Sequence, residues 1–408
     1  MPANLTPVYR KAEEAYRAAR EPAERLEHLK EMLRTIPKHK GTDHLQGDIK
    51  RWIKELTEEL GSGKQGGKKK GPVHTIRPEG AAQLSLLGAP NAGKSELHAK
   101  LTGSRADIGP YPFTTKLPMP GMLGFEDVWF QLVDLPPISS DYIEGWMGNS
   151  LQPADGVLLV IDLADPDCAE HLQAIIRQLA EKKIFLHGYW PGLRGPKPVP
   201  EPTFDEAGEE IIEDPFRIEL PALLVANKSD LVADPESELQ VLVELLELDF
   251  PTISVSAKTG VGCEAMGPLL FKALQIVRVY TKMPGKQPEL DRPFTLRRGQ
   301  TVLDVARLVH KDIAAGLRYA KIWGTEVFAG QQVGPEHDRS QSTGYGVAWG
   351  QRNEWKAVKQ CVALTQHPHR HAQQDAERVT AGLTGSGSEE DPRQRTLTAQ
   401  TSRRKRPG

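Results

Sequence analysis

The segment from Gly88 to Ser95 has the residue types and the spacing of a phosphate-binding loop. It reads Gly-Ala-Pro-Asn-Ala-Gly-Lys-Ser, follows the apolar run 84–87 and precedes a helical pattern. Glycines let successive backbone N–H groups turn toward one phosphate, and the start of the next helix adds partial positive charge. Lys94 is placed to reach the β- and γ-phosphates, and the Ser95 hydroxyl to ligate Mg²⁺. The alternative, a glycine-rich turn without a ligand, is disfavoured by the strand-to-helix context.

Two later motifs, Asn227-Lys-Ser-Asp230 and Ser256-Ala-Lys258, predict which base is bound. A carboxylate at Asp230 can accept two hydrogen bonds from the N–H groups on the edge of guanine, whereas adenine would leave that charge unpaired. Lys228 can lay its methylene stem along the base. The second motif can donate a main-chain N–H to the base carbonyl. Short motifs are weak alone, but their order and their positions after predicted strands indicate a guanine-nucleotide pocket.

The elements that must position these motifs alternate between strand and helix. From residue 81 to about residue 280, short apolar runs and helical patterns predict a doubly wound, mostly parallel α/β sheet. Together with the motifs above, this sheet predicts a P-loop NTPase G domain. Ligands of such folds bind at the carboxyl ends of the strands, where the motifs above and Asp134-Leu-Pro-Pro137 fall. The apolar runs are 84–87, 128–133, 157–161, 222–226 and 252–255.

The regions around this domain have other compositions. Leucine and isoleucine at helical spacing before residue 61 predict two helices joined by a basic tip, which can contact RNA or simply be a solvated face. Proline-rich residues 187–219 predict a surface insertion. The predicted organisation is a helical hairpin (1–60), a flexible basic linker (61–80), the G domain (81–283), a β-grasp-like module (290–337) and a disordered tail (338–408).

Composition excludes several classes of protein. No apolar stretch of the 408 residues approaches the roughly 20 needed to cross a bilayer, and the N-terminus lacks a secretory pattern, so we expect a cytoplasmic protein without a membrane partner. Cys168, Cys263 and Cys361 have no metal-ligand spacing and predict reduced thiols. The net charge of −2 means that any nucleic-acid affinity must come from local basic patches.

These ordered motifs resemble those of the Obg superfamily of GTPases, and most closely its developmentally regulated GTP-binding (DRG) branch. The resemblance spans residues 1 to about 337 and includes a C-terminal module similar to the TGS domain. It implies that Ile108-Gly-Pro-Tyr-Pro-Phe-Thr-Thr115 is the first switch segment. It also implies that Thr115 ligates Mg²⁺, that Asp134 holds Mg²⁺ through water, and that Asn91 accompanies K⁺ as a second cation.

The predicted site combines the motifs with this resemblance. The predicted catalytic residues are Lys94 and Thr115, and the predicted metal ligands are Ser95, Thr115 and Asp134 for Mg²⁺ and Asn91 for K⁺. The residues predicted to bind GTP are Gly88, Ala89, Pro90, Asn91, Ala92, Gly93, Lys94, Ser95, Phe113, Thr114, Thr115, Asp134, Asn227, Lys228, Asp230, Ser256, Ala257 and Lys258.

The sequence departs from the family pattern in ways that matter for chemistry. Pro137 replaces the glycine of the Asp-x-Pro-Gly motif and has no N–H to donate to the γ-phosphate, a loss worth about 1.5–3 kcal/mol. Ile138 is not such a departure: many GTPases place a glutamine there to orient the attacking water, but the resemblance implies that an apolar residue is usual in this superfamily, with slow turnover and no general base. Eukaryotic DRG proteins carry a larger domain at the insertion. The closing strand of a TGS domain is not recognisable after Asp338, which would leave that module incomplete.

The resulting prediction is a slow GTPase switch that hydrolyses GTP to GDP and phosphate with Mg²⁺. Association with ribosomes or RNA follows from the resemblance alone. The alternative is a guanine-nucleotide-binding regulatory protein with little hydrolysis, because Pro137 weakens contact with the γ-phosphate. A third hypothesis, an RNA-binding module with a vestigial nucleotide fold, predicts no nucleotide affinity.

Overall fold

The computed structural model describes residues 6–19, 22–38, 42–61, 75–104, 117–195, 198, 216–282, 288–324, 327–336, 345–350 and 360–361. The predicted first switch segment, with Phe113, Thr114 and Thr115, lies outside these residues. So do residues 39–41 of the basic tip, 62–74 of the linker, most of the insertion and most of the tail.

Helices and strands follow one another in the order expected of three modules. The helices are α1 (Pro7–Ala18), α2 (Pro22–Thr35), α3 (Asp43–Gly61), α4 (Lys94–Thr102), α5 (Met147–Leu151), α6 (Cys168–Glu181), α7 (Pro235–Leu245), α8 (Met266–Ala273), α9 (Val302–Val309) and α10 (Lys311–Gly316). The strands are β1 (Ala82–Leu87), β2 (Met119–Phe125), β3 (Val128–Asp134), β4 (Gly156–Asp162), β5 (Ile184–His187), β6 (Ile218–Asn227), β7 (Thr252–Ser254), β8 (Ile276–Lys282), β9 (Pro288–Arg297), β10 (Tyr319–Gly324), β11 (Val327–Val333), β12 (Tyr345–Gly350) and β13 (Gln360–Cys361).

The central sheet confirms the predicted fold class. Its strand order is β2-β3-β1-β4-β6-β5, with β7 also paired to β6. Apart from the antiparallel β2–β3 hairpin, its pairs are parallel. Parallel strands start and end at the same edges, so the segments that follow β1, β3, β4, β6 and β7 gather at one edge.

Burial on both faces explains the continuous apolar runs. Leu84 and Leu86 of β1 enter one core cluster with residues of α4 and α8, whereas Leu87 enters a second cluster with residues of α5, α6 and α7. Successive side chains of a strand point to opposite faces, so a sheet covered by helices on both faces favours apolar residues on both sides of each strand. All six residues of β1 are buried.

The N-terminal module contains three helices, not the two of the predicted hairpin. The additional helix α1 begins at Pro7, where the Thr6 hydroxyl accepts a hydrogen bond from the Tyr9 N–H at 3.2 Å. Its Tyr9 and Tyr16 enter the same core as residues of α2 and α3. The prediction identified the leucine-rich stripes but assigned no packing role to these tyrosines. None of the helices among the described residues has the length and apolar character to cross a bilayer.

The ends of the predicted insertion are packed, which corrects its description as a surface segment. Trp190 is fully buried, and its indole N–H donates to the Ala222 carbonyl at 2.9 Å. Gly156 leaves the space that the indole fills, because a Cβ there would lie 2.4 Å from the ring. At the other end, Phe216 stacks on Trp52 of α3 with ring centroids 5.8 Å apart. The segment therefore begins on the G domain and returns at the helical module.

The C-terminal sheet extends beyond its predicted bounds at both ends. β8, which the prediction assigned to the G domain, pairs antiparallel with β9. The segment 345–350, predicted as part of a disordered tail, is the strand β12 between β10 and β8, and β13 also pairs with β8. The module is therefore not missing a strand after Asp338. Tyr345, Val347 and Trp349 alternate in the sequence, a strand signal that the polar surroundings obscured.

Charged contacts join this module to the G domain. Arg278 of β8 donates to Asp127 at 2.6 Å and also pairs with Glu126, both in the β2–β3 turn. The Tyr280 hydroxyl donates to Asp127 at 2.5 Å, and burial together with this contact raises the pKa of the phenol. These contacts tie the β2–β3 hairpin to the C-terminal module.

Candidate functional site

The loop between β1 and α4 is shaped by two glycines with positive φ. Gly88 has φ 156° and Gly93 φ 83°. A Cβ on Gly88 would lie 2.2 Å from the Val160 carbonyl oxygen, and one on Gly93 would lie 2.3 Å from the Asn227 side-chain nitrogen. Neither position can hold a larger residue without moving the neighbouring strand ends. The loop is therefore pressed against β4 and β6, with its backbone free to curl around an anion.

Lys94 is buried within this loop. Its ammonium donates to the carbonyl oxygens of Gly88 at 3.1 Å and Ala89 at 3.0 Å, and the residue is 6% exposed. Burial lowers the pKa of Lys94 to about 8, and the nearby Asp134 carboxylate opposes this shift. A bound phosphate would place negative charge beside the buried ammonium and would favour its charged form.

Ser95 and Asp134, two of the predicted Mg²⁺ ligands, lie together at the edge of the sheet. The Ser95 hydroxyl donates to a carboxylate oxygen of Asp134 at 2.5 Å, and Asp134 is 2% exposed. A hydroxyl and a carboxylate are hard oxygen ligands of the kind that Mg²⁺ prefers. The residues present therefore fit this ion. Thr115, the third predicted ligand, lies outside the described residues.

Asn227 joins the phosphate side of the site to the base side. Its amide N–H donates to the Ala92 carbonyl at 3.0 Å, and its amide oxygen accepts from the Ala257 N–H at 3.0 Å. The side chain is fully buried. The prediction placed Asn227 among the nucleotide-binding residues. In the structure its polar atoms hold the Gly88–Gly93 loop and the Ser256–Lys258 segment together.

The two charged residues after Asn227 are each held by a partner. The Ser256 hydroxyl donates to Asp230 at 2.6 Å and accepts from the Thr259 N–H at 3.1 Å, which orients the exposed carboxylate. Lys228 has φ 60°, and its ammonium donates to Asp162 at 2.6 Å. Asp162 was not among the predicted site residues, although it ends a buried strand just as Asp134 and Asn227 do.

The segment after Asp134 packs closely against the phosphate loop. The Ile138 N–H donates to the Gly88 carbonyl at 3.1 Å. The Ile138 side chain is fully buried in the core cluster that contains α5 and α6. An isoleucine in this position cannot orient water. Pro137, one residue earlier, is half-buried and offers no N–H to the loop.

His98 is a second residue that sequence reasoning missed. It lies in α4 and is 2% exposed, with Nε2 3.2 Å from the Leu132 carbonyl oxygen and Nδ1 3.3 Å from the Ser104 hydroxyl. Burial lowers the pKa of His98. His98 therefore links α4 to β3 and to Ser104, the last described residue before residue 117.

Comparison with known proteins identifies relatives of this chain. A family model described as a 50S ribosome-binding GTPase matches residues 83–187, and a TGS domain model matches residues 277–338. An uncharacterized GTP-binding protein of Methanocaldococcus jannaschii is 30% identical over 355 residues, which cover 77% of this chain and 89% of that protein.

Eukaryotic relatives cover the chain to a similar extent. Developmentally-regulated G-protein 1 of Arabidopsis thaliana is 26% identical over 74% of this chain and 84% of its own length. Developmentally-regulated GTP-binding protein 2 of Mus musculus is 25% identical over 76% and 93%. Among solved structures, mGMPPNP-bound NFeoB from S. thermophilus is 20% identical, with a TM-score of 0.30 over 47% of this chain and 60% of that chain.

Proposed function

Because the chain belongs to the family of GTP-binding proteins that includes the developmentally regulated (DRG) proteins, we propose that it binds GTP and hydrolyses it slowly to GDP and phosphate. The observation that carries this proposal is the pair of linked sites on one sheet edge. Lys94 and the hydrogen-bonded pair Ser95–Asp134 lie where phosphate and Mg²⁺ would bind, Ser256 holds Asp230 where it would meet a base, and Asn227 connects the two loops.

Each group of residues at the sheet edge has a separate role in the proposed reaction. Backbone N–H groups of the loop and the Lys94 ammonium bind the β- and γ-phosphates and oppose the charge that develops on them. Ser95 and Asp134 would hold Mg²⁺, which supplies further positive charge to the phosphate oxygens. Asp230 accepts from the guanine edge, and Ser256 keeps it in place. The resemblance to the Obg superfamily assigns Thr115 to the Mg²⁺ site and Asn91 to the K⁺ site.

Slow turnover is supported by the surroundings of Ile138. Its side chain is buried in the core, so this position supplies neither a base nor a group that orients water. Phosphoryl transfer has a loose transition state, for which charge neutralisation matters more than proton transfer. Hydrolysis would therefore depend on Lys94 and the bound cations, and the protein would act as a slow switch.

Association with ribosomes or RNA in the cytoplasm is part of the same proposal. It is supported by the description of the matching family model and by exposed basic residues on α2 and α3, such as Arg34 and Lys50. Phosphate-backbone contacts of this kind weaken as salt concentration rises. Co-sedimentation with ribosomes at two salt concentrations, with and without a GTP analogue, tests this part. Ribosome binding that changes neither with salt concentration nor with the GTP analogue would contradict this part of the proposal.

A second candidate function is a regulatory protein that binds guanine nucleotides with little hydrolysis. Pro137 favours it, because a proline cannot donate the hydrogen bond that would report the γ-phosphate. Single-turnover release of phosphate from GTP, in K⁺ and in Na⁺, separates the two candidates. Release faster than from GTP alone in water supports the GTPase, and release at the background rate by a nucleotide-loaded protein supports the regulator. Absence of nucleotide binding would leave only the vestigial fold.

A further inference from the structure

We propose that Asp162 is a positioning residue of the base site that holds Lys228 against the base and keeps the Lys228 ammonium away from Asp230. This inference rests on the proposed binding of guanine nucleotide at the edge of the sheet. It adds a residue from β4 to a base site whose other members follow β6 and β7.

The ion pair joins the ends of neighbouring strands. Asp162 is the last residue of β4 and stands in register with Asn227, the last residue of β6. One carboxylate oxygen lies 2.6 Å from the Lys228 ammonium. The side chains are 19% and 30% exposed for Asp162 and Lys228. This partial burial screens the pair less than a surface pair and leaves the stem of Lys228 accessible to a ligand.

Backbone contacts hold the Asp162 carboxylate in place independently of Lys228. Its other oxygen accepts the Ala164 N–H at 3.1 Å, and the Leu163 N–H donates to the Asn227 carbonyl at 3.1 Å. Lys228 has a left-handed backbone, φ 60° and ψ 32°, which is uncommon for a residue with a side chain. The Ser229 N–H bonded to the Val255 carbonyl at 3.1 Å helps to keep it there.

Pairing at the tip of Lys228 has two consequences for a bound base. A free lysine loses considerable rotamer freedom on ordering, and the contact with Asp162 removes much of that loss before a nucleotide arrives. The pair also occupies the ammonium. Without it, Lys228 could turn to the carboxylate of Asp230, two residues along the chain, and compete with guanine for the group that reads it. Asp162 thus presents the apolar stem to the base and keeps Asp230 free.

A double-mutant cycle on the full-length protein tests this assignment. The variants are Asp162→Asn, Lys228→Met and the double variant, and the measurement is the dissociation constant for GDP by calorimetry with Mg²⁺. Asparagine retains an oxygen for the Ala164 N–H but loses the charge, so the turn after β4 is preserved. We expect Asp162→Asn to weaken GDP binding about three- to tenfold. In the Lys228→Met background, the same change should alter it less than about twofold. Equal effects in both backgrounds would overturn the proposal.

Inosine diphosphate (IDP) separates positioning from general loosening. IDP lacks the 2-amino group that Asp230 would bind, whereas the Lys228 stem would contact both bases alike. While Lys228 remains clear of Asp230, Asp162→Asn should weaken GDP and IDP binding by similar factors. If the released ammonium pairs with Asp230, GDP should weaken more than IDP, and Lys228→Met should restore the GDP-to-IDP ratio. The matched control is Ser256→Ala, which removes the hydrogen bond that orients Asp230. This variant should lower the GDP-to-IDP ratio whether or not Lys228 is present.

The outcomes also distinguish this proposal from the proposed function. Wild-type protein that does not bind GDP refutes both. Wild-type binding with an additive cycle, or a lowered GDP-to-IDP ratio in Asp162→Asn that Lys228→Met does not restore, refutes the role of Asp162 alone. The unfolding temperature without nucleotide shows whether each variant is folded. Should Asp162→Asn unfold, Lys228→Met by itself must weaken both nucleotides three- to tenfold, and unchanged affinities would overturn the assignment.

Discussion

Nucleotide binding should take up a proton at Lys94. The perturbation is a change of pH from 7 to 8.5. This range lies below the pH at which the guanine base of the nucleotide loses a proton. In the nucleotide-free protein the pKa of Lys94 is about 8, because burial disfavours the charged ammonium. The phosphates of a bound nucleotide favour the charged form and raise this pKa again. Binding therefore moves Lys94 from partly neutral to fully charged.

The size of the effect follows from that pKa. With a value of about 8, about half of the Lys94 side chains are neutral at pH 8 and about a tenth at pH 7. GDP binding should take up about 0.5 proton at pH 8 and about 0.1 at pH 7, and GDP affinity should fall about fourfold between pH 7 and pH 8.5.

The stability of the nucleotide-free protein depends on the same pKa. Because it lies below the usual 10.5, the unfolded chain binds more protons between the two values. The contribution of Lys94 to the free energy of unfolding should therefore rise with pH from about 8 to about 10.5.

Calorimetry in buffers with different ionisation enthalpies measures the proton uptake. Lys94→Arg is the matched control, because the guanidinium stays charged throughout this range, so its binding should take up less than about 0.1 proton at pH 8. Two results would refute the reasoning. One is wild-type uptake near zero at pH 8, which would mean that the ammonium is charged without a ligand. The other is equal uptake by the arginine variant, which would place the titrating group elsewhere.

Three further predictions concern discrimination and stability. Pro137→Gly restores a backbone N–H near the phosphate loop and should widen the affinity gap between a GTP analogue and GDP about ten- to a hundredfold by calorimetry; an unchanged gap would refute that role of the proline. Asp230→Asn should lower GDP affinity and favour xanthosine diphosphate in competition, because the amide offers a donor as well as an acceptor; retained guanine preference would place the base elsewhere. Trp190→Phe removes the donor to the Ala222 carbonyl and should lower the free energy of unfolding by about 1–3 kcal/mol in urea titrations, with GDP affinity unchanged; a loss of GDP affinity would tie this packing to the site.

Some strands and helices could be predicted from the sequence, whereas others depend on contacts between distant segments. Strand β1 was predictable, because a sheet covered on both faces favours apolar residues on both sides of a strand, and Leu84, Leu86 and Leu87 meet that requirement. β12 was not, because its six residues lie in a polar region and pair with strands distant in sequence. The first helix of the N-terminal module lies in a segment predicted to be helical, but it was not predicted as a third packed helix, for a related reason. Its Tyr9 and Tyr16 become core residues only through contacts with other helices and with Phe216.

The site divides in the same way. Short motifs were sufficient to predict the phosphate loop and the choice of guanine, because backbone curvature and a carboxylate opposite two donors are local requirements. Contacts between strand ends could not be read from the chain. Asn227 bridges to Ala92 across 135 positions, and Lys228 reaches Asp162 across 66.

What the sequence determined by itself was therefore the chemistry of each loop, since that depends on residue types a few positions apart. The tertiary structure alone decided which loops support one another. Parallel pairing brings the ends of β1, β3, β4, β6 and β7 to one edge, and only there do a buried amide, an ion pair and a serine hydroxyl fix the groups that would meet the nucleotide.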